Sequence, residues 1–308
     1  MATAKHLALV GPTASGKSAL ALAAARALGD VEIVSLDSMQ VYRGLDIGTA
    51  KPTAAERGLV PHHVIDVAEP TEDWSAMRHQ AAARAAVAGI EARGKRALLV
   101  GGTGLYVQAV VDDLRFPSED PDLRAELESW TAEPGGVAAA YDELRGHDPD
   151  AADKIDPHNA RRIVRALEVI RLTGKQFSSF GHGIDEFGPT AFPVRMVGIW
   201  MPRDILNTRI ANRFSAMRDA GLLDEVCRLL DGPQLSRTAG QAIGYKEIMD
   251  AISAAASLDD AIDTAVRRTR SFARRQRMWF RRDPRITWLG ATDNHCAVLP
   301  ALLATWSS

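Results

Sequence analysis

The sequence predicts an α/β fold in which a parallel sheet is flanked by helices, with an all-helical insertion domain. Three observations support this prediction. Short apolar runs ending in Gly or Asp alternate with helical patterns early in the chain, an order typical of βαβ units. The first run leads into a glycine-rich phosphate-binding pattern. The alternation stops after Phe116, and only helical patterns follow until a strand-like run begins at Val194.

The predicted strands indicate where a ligand would bind. They cover residues 6–10, 32–36, 63–67, 96–100, 194–200 and 285–289, and early helices are expected at 17–28 and 74–93. Ligands of parallel α/β sheets bind beyond the carboxyl ends of the strands. The loops at 11–18, 37–42 and 101–104 should therefore converge on one site.

The middle of the chain predicts a separate helical region. Helical patterns occupy 121–130, 136–145 and 158–172, and a glycine-containing loop at 177–193 leads back to the strand-like run. We therefore expect residues 1–116 and 194–308 to form the catalytic core, and residues 117–193 to form the helical insertion domain.

The strongest motif lies at residues 11–18, here named the phosphate loop. It reads Gly-Pro-Thr-Ala-Ser-Gly-Lys-Ser and follows the pattern Gly, four residues, Gly-Lys-Ser, between a predicted strand and a predicted helix. Backbone N–H groups of such a loop and the helix N-terminus bind linked phosphates, the lysine adds positive charge and the serine hydroxyl suits Mg²⁺. The motif predicts a P-loop NTPase-like core with candidate ligand residues Gly11, Pro12, Thr13, Ala14, Ser15, Gly16, Lys17 and Ser18.

Bulk composition limits the class of protein. The chain has 308 residues, 46% hydrophobic and 25% charged, with a net charge of −2 that does not by itself indicate a nucleic-acid partner. Its two cysteines, Cys227 and Cys296, form neither a metal-ligand pattern nor a disulfide framework, which is typical of the cytoplasm. The longest apolar stretch, residues 97–111, is too short and too broken to span a bilayer. We expect a cytoplasmic protein without a membrane segment.

Asp37 follows a predicted strand beside the phosphate loop. A carboxylate in this position could hold Mg²⁺, act as a general base or cap the next turn. Position alone leaves these three roles open.

The predicted strand at 96–100 ends without the Mg²⁺-binding aspartate of many nucleotide hydrolases. It continues instead into Gly101-Gly102-Thr103-Gly104, where paired glycines allow close approach of a ligand to the backbone. Thr103 could present a hydroxyl to that ligand or serve as the N-cap of the next helix.

Positive charge is concentrated near the C-terminus. Residues 267–285 contain nine arginines and one acid, Asp283, together with three aromatic residues. Arginines with aromatics suit RNA phosphates and bases, although a charged run can also be a solvated helix face. Smaller basic groups occur at Arg161, Arg162 and Arg165, and at Arg209 and Arg213.

Together these residues resemble the tRNA dimethylallyltransferase family, also called tRNA isopentenyltransferases. The matching stretches are the phosphate loop, Asp37-Ser38-Met39-Gln40-Val41-Tyr42-Arg43, Asp46-Ile47-Gly48-Thr49-Ala50-Lys51-Pro52, Gly101-Gly102-Thr103-Gly104-Leu105-Tyr106, Arg165-Ala166-Leu167-Glu168-Val169, Gly244-Tyr245-Lys246-Glu247 and Arg274-Arg275-Gln276-Arg277-Met278-Trp279-Phe280. No Cys₂His₂ zinc-finger pattern is present, so the bacterial type of the family is the closer match.

The resemblance implies a reaction and a set of roles. The family transfers a dimethylallyl group from dimethylallyl pyrophosphate to N6 of adenosine 37 of tRNA, and pyrophosphate leaves. The phosphate loop would hold the pyrophosphate, and Mg²⁺ on Ser18 would stabilise its charge. Asp37 would be the general base, Thr103 would orient the leaving or bridging oxygen, and Arg213 would add charge at the pyrophosphate.

The resemblance also implies a tRNA-binding surface for the anticodon stem-loop. Positions that match tRNA-contacting residues are Asp37, Ser38, Met39, Gln40, Thr103, Arg124, Arg161, Arg165, Gln241, Gly244, Tyr245, Lys246, Arg274, Arg275, Gln276 and Arg281. Met39-Gln40 and Arg161 depart from the residues found in some relatives. We expect a monomer.

Two other functions use the same phosphate loop. A small-molecule kinase would bind ATP with this loop, but such an enzyme has no evident need for the helical insertion or the arginine-rich segment. An isopentenyltransferase acting on free adenine nucleotides would share the chemistry without needing a tRNA-binding surface.

Overall fold

The core of the protein is a six-stranded parallel sheet. In the computed structural model, which describes residues 5–112, 114–180, 184, 186–291 and 294–307, the strands are β1 (His6–Val10), β2 (Val31–Ser35), β3 (His62–His63), β4 (Arg96–Gly101), β5 (Val194–Trp200) and β6 (Ile286–Gly290). Their order is β3-β2-β4-β1-β5-β6, and every pairing is parallel. The predicted α/β class with a parallel sheet is confirmed.

The central strand β1 is buried on both faces. It pairs with β4 and β5 on its two sides, so that Leu7 lies opposite both Leu98 and Arg195. Because successive side chains of a strand point to opposite faces, Leu7 and Leu9 enter one hydrophobic core, whereas Ala8 and Val10 enter the other. This two-sided burial explains why residues 7–10 of the strand are all apolar.

The strand predictions were accurate except at the edge strand β3. β1 and β5 have the predicted bounds, β4 is one residue longer than predicted, and β2 and β6 are each displaced by one residue. The prediction of a strand at 63–67 was wrong, since β3 contains only two residues. Val64 and Asp66 have φ angles of 61° and 56°, a left-handed conformation that no strand can include.

The helices fall into two compact units, residues 1–113 with 187–308, and residues 114–186. The first contains α1 (Lys17–Leu28), α2 (Ala54–Leu59), α3 (Ala76–Ala92), α4 (Gly104–Val111), α9 (Arg203–Asp219), α10 (Leu222–Leu230), α11 (Tyr245–Ser253), α12 (Leu258–Phe280) and α13 (Leu299–Ser307). The second contains α5 (Pro121–Ala132), α6 (Gly136–His147), α7 (Pro149–Lys154) and α8 (Ala160–Thr173). No described helix is long and apolar enough to cross a membrane.

The helical unit has its own core, in which Leu127, Leu144, Ile163 and Leu167 are fully buried. Its limits, 114 and 186, differ from the expected 117 and 193. The return segment joins the sheet unit because Arg285, just before β6, donates to the Gly188 carbonyl at 2.8 Å and to Asp112 at 2.6 Å.

Candidate functional site

The phosphate loop joins β1 to α1 at the carboxyl edge of the sheet. Gly11 has φ 144°, and a Cβ there would lie 2.9 Å from the Ile199 carbonyl oxygen of β5. Gly16 has φ 87° and is the N-cap of α1, which begins at Lys17. Glycine is needed at both positions for conformation or space. The two glycines therefore give the loop a turn that other residues would not readily adopt, as the phosphate-loop motif requires.

Lys17 is a buried cation in this loop. Its ammonium group donates to the Pro12 carbonyl at 2.7 Å. Burial lowers the pKa of Lys17 to about 8, with Arg213 lowering it further and Asp37 opposing the shift. An anionic ligand would counter the desolvation, so Lys17 is suited to pair with phosphate oxygens.

Two arginines of α9 hold the other side of the loop. Arg213 donates to the Thr13 hydroxyl at 3.2 Å, and Arg209 donates to the Ala14 carbonyl at 2.9 Å. Burial lowers the pKa of Arg213, while nearby Asp37 opposes that shift. The pair predicted from i, i+4 spacing thus lies at the phosphate loop.

A cavity of about 930 Å³ opens beside the loop. Its lining includes residues from every predicted strand-end loop and from two C-terminal helices, namely Lys17, Ser18, Asp37, Gln40, Asp46, Thr49, Gly101, Gly102, Arg209, Arg213, Phe272 and Gln276. The predicted convergence of three loops on one site is therefore observed.

Asp37 is fixed in this cavity by its own turn. Its Oδ1 accepts hydrogen bonds from the backbone N–H groups of Met39 at 2.8 Å and Gln40 at 3.3 Å. No described residue donates to Oδ2. The turn-capping role left open by the sequence is thus real, and it leaves one carboxylate oxygen available for chemistry.

Thr103 occupies the N-cap position of α4 without capping it through its side chain. Its hydroxyl lies 3.4 Å from the Ser38 hydroxyl, next to Asp37 in the chain. Capping of α4 is therefore not the role of this hydroxyl, which faces Ser38 of the neighbouring strand-end loop.

Residues expected to meet tRNA differ sharply in exposure. Arg274, Arg275 and Arg281, and also Gln241, are exposed, and Lys246 is half-buried and paired with Asp250 at 2.8 Å. Three other residues expected to contact tRNA are buried, namely Gly244, Tyr245 and Gln276. The side chains of Tyr245 and Gln276 form hydrogen bonds inside the protein, and their contact with tRNA stays a prediction.

In the helical unit, two of the three expected arginines share one buried carboxylate. Glu168 is fully buried and accepts from Arg124 and from Arg165, each at 2.8 Å. These arginines hold the pKa of Glu168 below its usual range despite burial. Arg161 is exposed. Arg124 also lies 3.5 Å from Glu119, so these ion pairs orient both arginines on the helical unit.

Sequence reasoning missed Glu225, which holds in place the cavity-lining residues Asp46 and Ile47. Its buried carboxylate accepts the backbone N–H groups of Asp46, Ile47 and Gly48 at 3.1, 2.9 and 3.3 Å, and the hydroxyl of Tyr245. Burial raises the pKa of Tyr245, with the Glu225 carboxylate adding to the shift. Ile47 and Glu225 are 178 residues apart in sequence, so no local signal predicted this contact.

The described residues contain no cluster of three or more His, Cys, Asp or Glu side chains able to hold a metal ion. A divalent cation in this cavity would need oxygens from its ligand, which is how Mg²⁺ commonly binds beside phosphates.

Comparison with known proteins agrees with this geometry. The IPP transferase family matches residues 40–283, and an isopentenyl transferase family matches residues 4–60. The chain belongs to the IPP transferase family. The resemblance inferred from the sequence is confirmed, and with it the transferase class.

Individual IPP transferases match over nearly the whole chain. A tRNA dimethylallyltransferase of Bifidobacterium longum is 44% identical over 96% of this chain and 91% of its own length. The crystal structure of a tRNA isopentenylpyrophosphate transferase from Bacillus halodurans is 40% identical, with a TM-score of 0.70 and coverage of 98% and 97%. A eukaryotic dimethylallyltransferase acting on tRNA is 28% identical, with a TM-score of 0.80 over 97% of this chain and 77% of its own. The P-loop-like fold of the core is shared with these structures.

Proposed function

We propose that this IPP transferase moves a dimethylallyl group from dimethylallyl pyrophosphate to N6 of adenosine 37, beside the anticodon of tRNA. The observation that carries the proposal is one cavity shared by the phosphate loop and by Asp37, whose Oδ2 is free of hydrogen bonds from described residues. A diphosphate site beside an available base is what prenyl transfer to an amine requires.

The phosphate loop binds the diphosphate of the donor. Loop N–H groups, Lys17 and Arg213 stabilise negative charge that builds up on the bridging oxygen as the carbon–oxygen bond breaks. Such preorganised charge contributes most where the transition state is more anionic than the substrate.

Ser18 is the proposed protein ligand of Mg²⁺. It lines the cavity, and the lack of an acidic cluster among the described residues fits a cation held mainly by diphosphate oxygens. Bound Mg²⁺ would supply charge neutralisation for the leaving pyrophosphate.

Asp37 is the proposed general base. N6 of the adenine forms a bond to the first carbon of the dimethylallyl group, the carbon–oxygen bond to pyrophosphate breaks, and the proton leaving N6 passes to Oδ2 of Asp37. Hydrogen bonds at Oδ1 hold the carboxylate in place, and the Thr103 hydroxyl orients the leaving or bridging oxygen.

The tRNA is proposed to bind along the exposed cations and through the turn at residues 37–40. Its adenine must leave the anticodon stack to reach the cavity, as enzymes that act on bases generally require. Arg274, Arg275, Arg281, Gln241 and Lys246 would contact the anticodon stem-loop from the sheet unit, and Arg124, Arg161 and Arg165 from the helical unit.

The decisive experiment is transfer of label from radiolabelled dimethylallyl pyrophosphate to a tRNA carrying adenosine at position 37. We expect labelled N6-dimethylallyl adenosine in the digested tRNA, and no product when position 37 is guanosine.

The match of an isopentenyl transferase family to residues 4–60 favours one second candidate, transfer to free adenine nucleotides. The same assay with adenosine monophosphate separates the two. Labelling of the nucleotide without labelling of tRNA would overturn the first proposal and support the second.

A further inference from the structure

One glutamine of the arginine-rich helix faces the interior. The buried residues of α12 are Ala261, Ala265, Ala273, Gln276 and Phe280, a stripe in which only Gln276 is polar. It is 5% exposed. A polar group is retained at such a position when it has partners there, and the partners of Gln276 are both in the candidate site.

The amide of Gln276 joins two loops of the cavity. Its Oε1 accepts from the backbone N–H of Thr13 at 2.8 Å, and its Nε2 donates to the Gly102 carbonyl at 2.8 Å. These partners are 263 and 174 residues away in sequence. One side chain thus ties α12 to the phosphate loop and to the turn after β4.

The contact is too close for a larger residue at position 102. A Cβ on Gly102 would collide with Nε2 of Gln276, and it would also lie 3.1 Å from the Gly11 carbonyl oxygen. In the sequence, Gly101-Gly102 indicated close approach of a ligand to the backbone. In the structure, the lack of a side chain at Gly102 also makes room for the Gln276 amide.

We propose that Gln276 is a positioning residue that holds the phosphate loop in its diphosphate-binding shape. This inference rests on the proposed function of the loop, and it gives Gln276 a role other than the tRNA contact expected from the sequence. Thr13, whose N–H it fixes, also receives the Arg213 hydrogen bond, so the amide constrains the loop beside Lys17 and Arg213.

The chemistry of an amide suits this role because it donates and accepts at the same time. A methionine of similar volume would leave the Thr13 N–H and the Gly102 carbonyl without this partner. A glutamate could accept from Thr13 but would set a carboxylate oxygen against the Gly102 carbonyl and a negative charge beside the diphosphate.

The test measures binding of inorganic pyrophosphate with Mg²⁺ by calorimetry, together with kcat and KM. For Gln276→Met we expect pyrophosphate affinity to fall about tenfold to a hundredfold, as for a buried group left unpaired. The KM for dimethylallyl pyrophosphate should rise by a similar factor, while the Kd for tRNA stays within about twofold. For Gln276→Glu we expect a larger loss of pyrophosphate affinity.

Gln80→Met is the matched control. Gln80 also donates to a backbone carbonyl, that of Ala109 at 2.7 Å, but it does not line the cavity. It should lower the melting temperature without changing pyrophosphate affinity.

The outcomes separate this inference from the proposed function. If the wild-type protein fails to bind pyrophosphate, the proposed function itself is wrong. If the wild-type protein binds it and Gln276→Met binds equally well, or loses tRNA affinity instead, the positioning role is overturned.

Discussion

The protein carries two sets of cations that differ in burial. Lys17 is buried and Arg213 is half-buried at the phosphate loop, and they bond to loop atoms at 2.7 and 3.2 Å. Arg274, Arg275 and Arg281 lie in the open on α12 and just past its end.

The difference teaches how one protein can bind two kinds of phosphate. Enclosed cations act at fixed positions in a low dielectric, where charge is strong and salt has little effect. Exposed arginines act mainly by releasing counterions from RNA, which makes binding sensitive to salt. Lys17 and Arg213, the inner set, should govern the rate of prenyl transfer. The exposed arginines of α12 and its end, the outer set, should govern tRNA affinity.

The sharpest test of this division is Asp37→Asn, which keeps an oxygen for the Met39 and Gln40 N–H groups but removes the base. We expect kcat to fall by about 10²–10⁴ while tRNA and pyrophosphate still bind. Single-turnover kinetics with labelled donor would measure it. A wild-type rate would remove Asp37 from the chemical step.

Lys17→Met should produce the next largest effect. Loss of one preorganised charge at the leaving group is expected to lower kcat/KM by about 10²–10³. The tRNA affinity, measured by filter binding, should stay unchanged. Equal losses in tRNA binding would show that the two sets of cations are not separate.

Glu225→Gln tests the scaffold beneath the inner set. This change replaces one carboxylate oxygen with an NH₂ group, so a donor faces the N–H donors of residues 46–48. We expect the free energy of unfolding to fall by about 1–3 kcal/mol. Urea titration measures it. Tyr245→Phe, which removes only the hydroxyl, should cost less than Glu225→Gln, and the reverse order would contradict the assigned contacts.

The lowered pKa of Lys17, about 8, predicts a pH dependence. Below pH 8 Lys17 is already charged in the free protein, so its titration should not change the affinity for dimethylallyl pyrophosphate in that range. Above pH 8 the free protein loses that proton while the bound diphosphate favours keeping it, so affinity should fall about tenfold per pH unit. Calorimetry on wild type and on Lys17→Met separates this from titration of the ligand, because the variant should lack the slope.

Arg275→Ala should give the smallest effect. We expect tRNA affinity to fall a few-fold and the slope of log K against log salt to decrease by about one. Arg218→Ala, at an exposed arginine paired with Asp259, is the matched control. A loss of catalysis without a change in the salt slope would place Arg275 with the inner set.

Much of this site could be predicted because its signals are local. The phosphate-loop motif consists of eight consecutive residues, and β1 and β5 are short segments in which most residues are apolar. The strand predicted at 63–67 was wrong because the left-handed residues Val64 and Asp66 leave no trace in hydropathy.

Contacts across the fold were out of reach from the sequence. Position in an arginine-rich run grouped Gln276 with residues that meet RNA, yet its amide lies inside and bonds to Thr13 and Gly102. Tyr245 was grouped with them too, yet it is fully buried against Glu225 and Gly48.

By itself, the sequence determined the parallel sheet, the phosphate loop, the carboxylate of Asp37 at the sheet edge and the family, because each depends on residues adjacent in the chain or repeated at a regular period. Only the tertiary structure decided which polar side chains face the ligand and which hold the cavity from behind. A helix turns each successive side chain by about 100°, so neighbouring residues such as Arg275 and Gln276 point in different directions. What each one meets depends on segments hundreds of residues away.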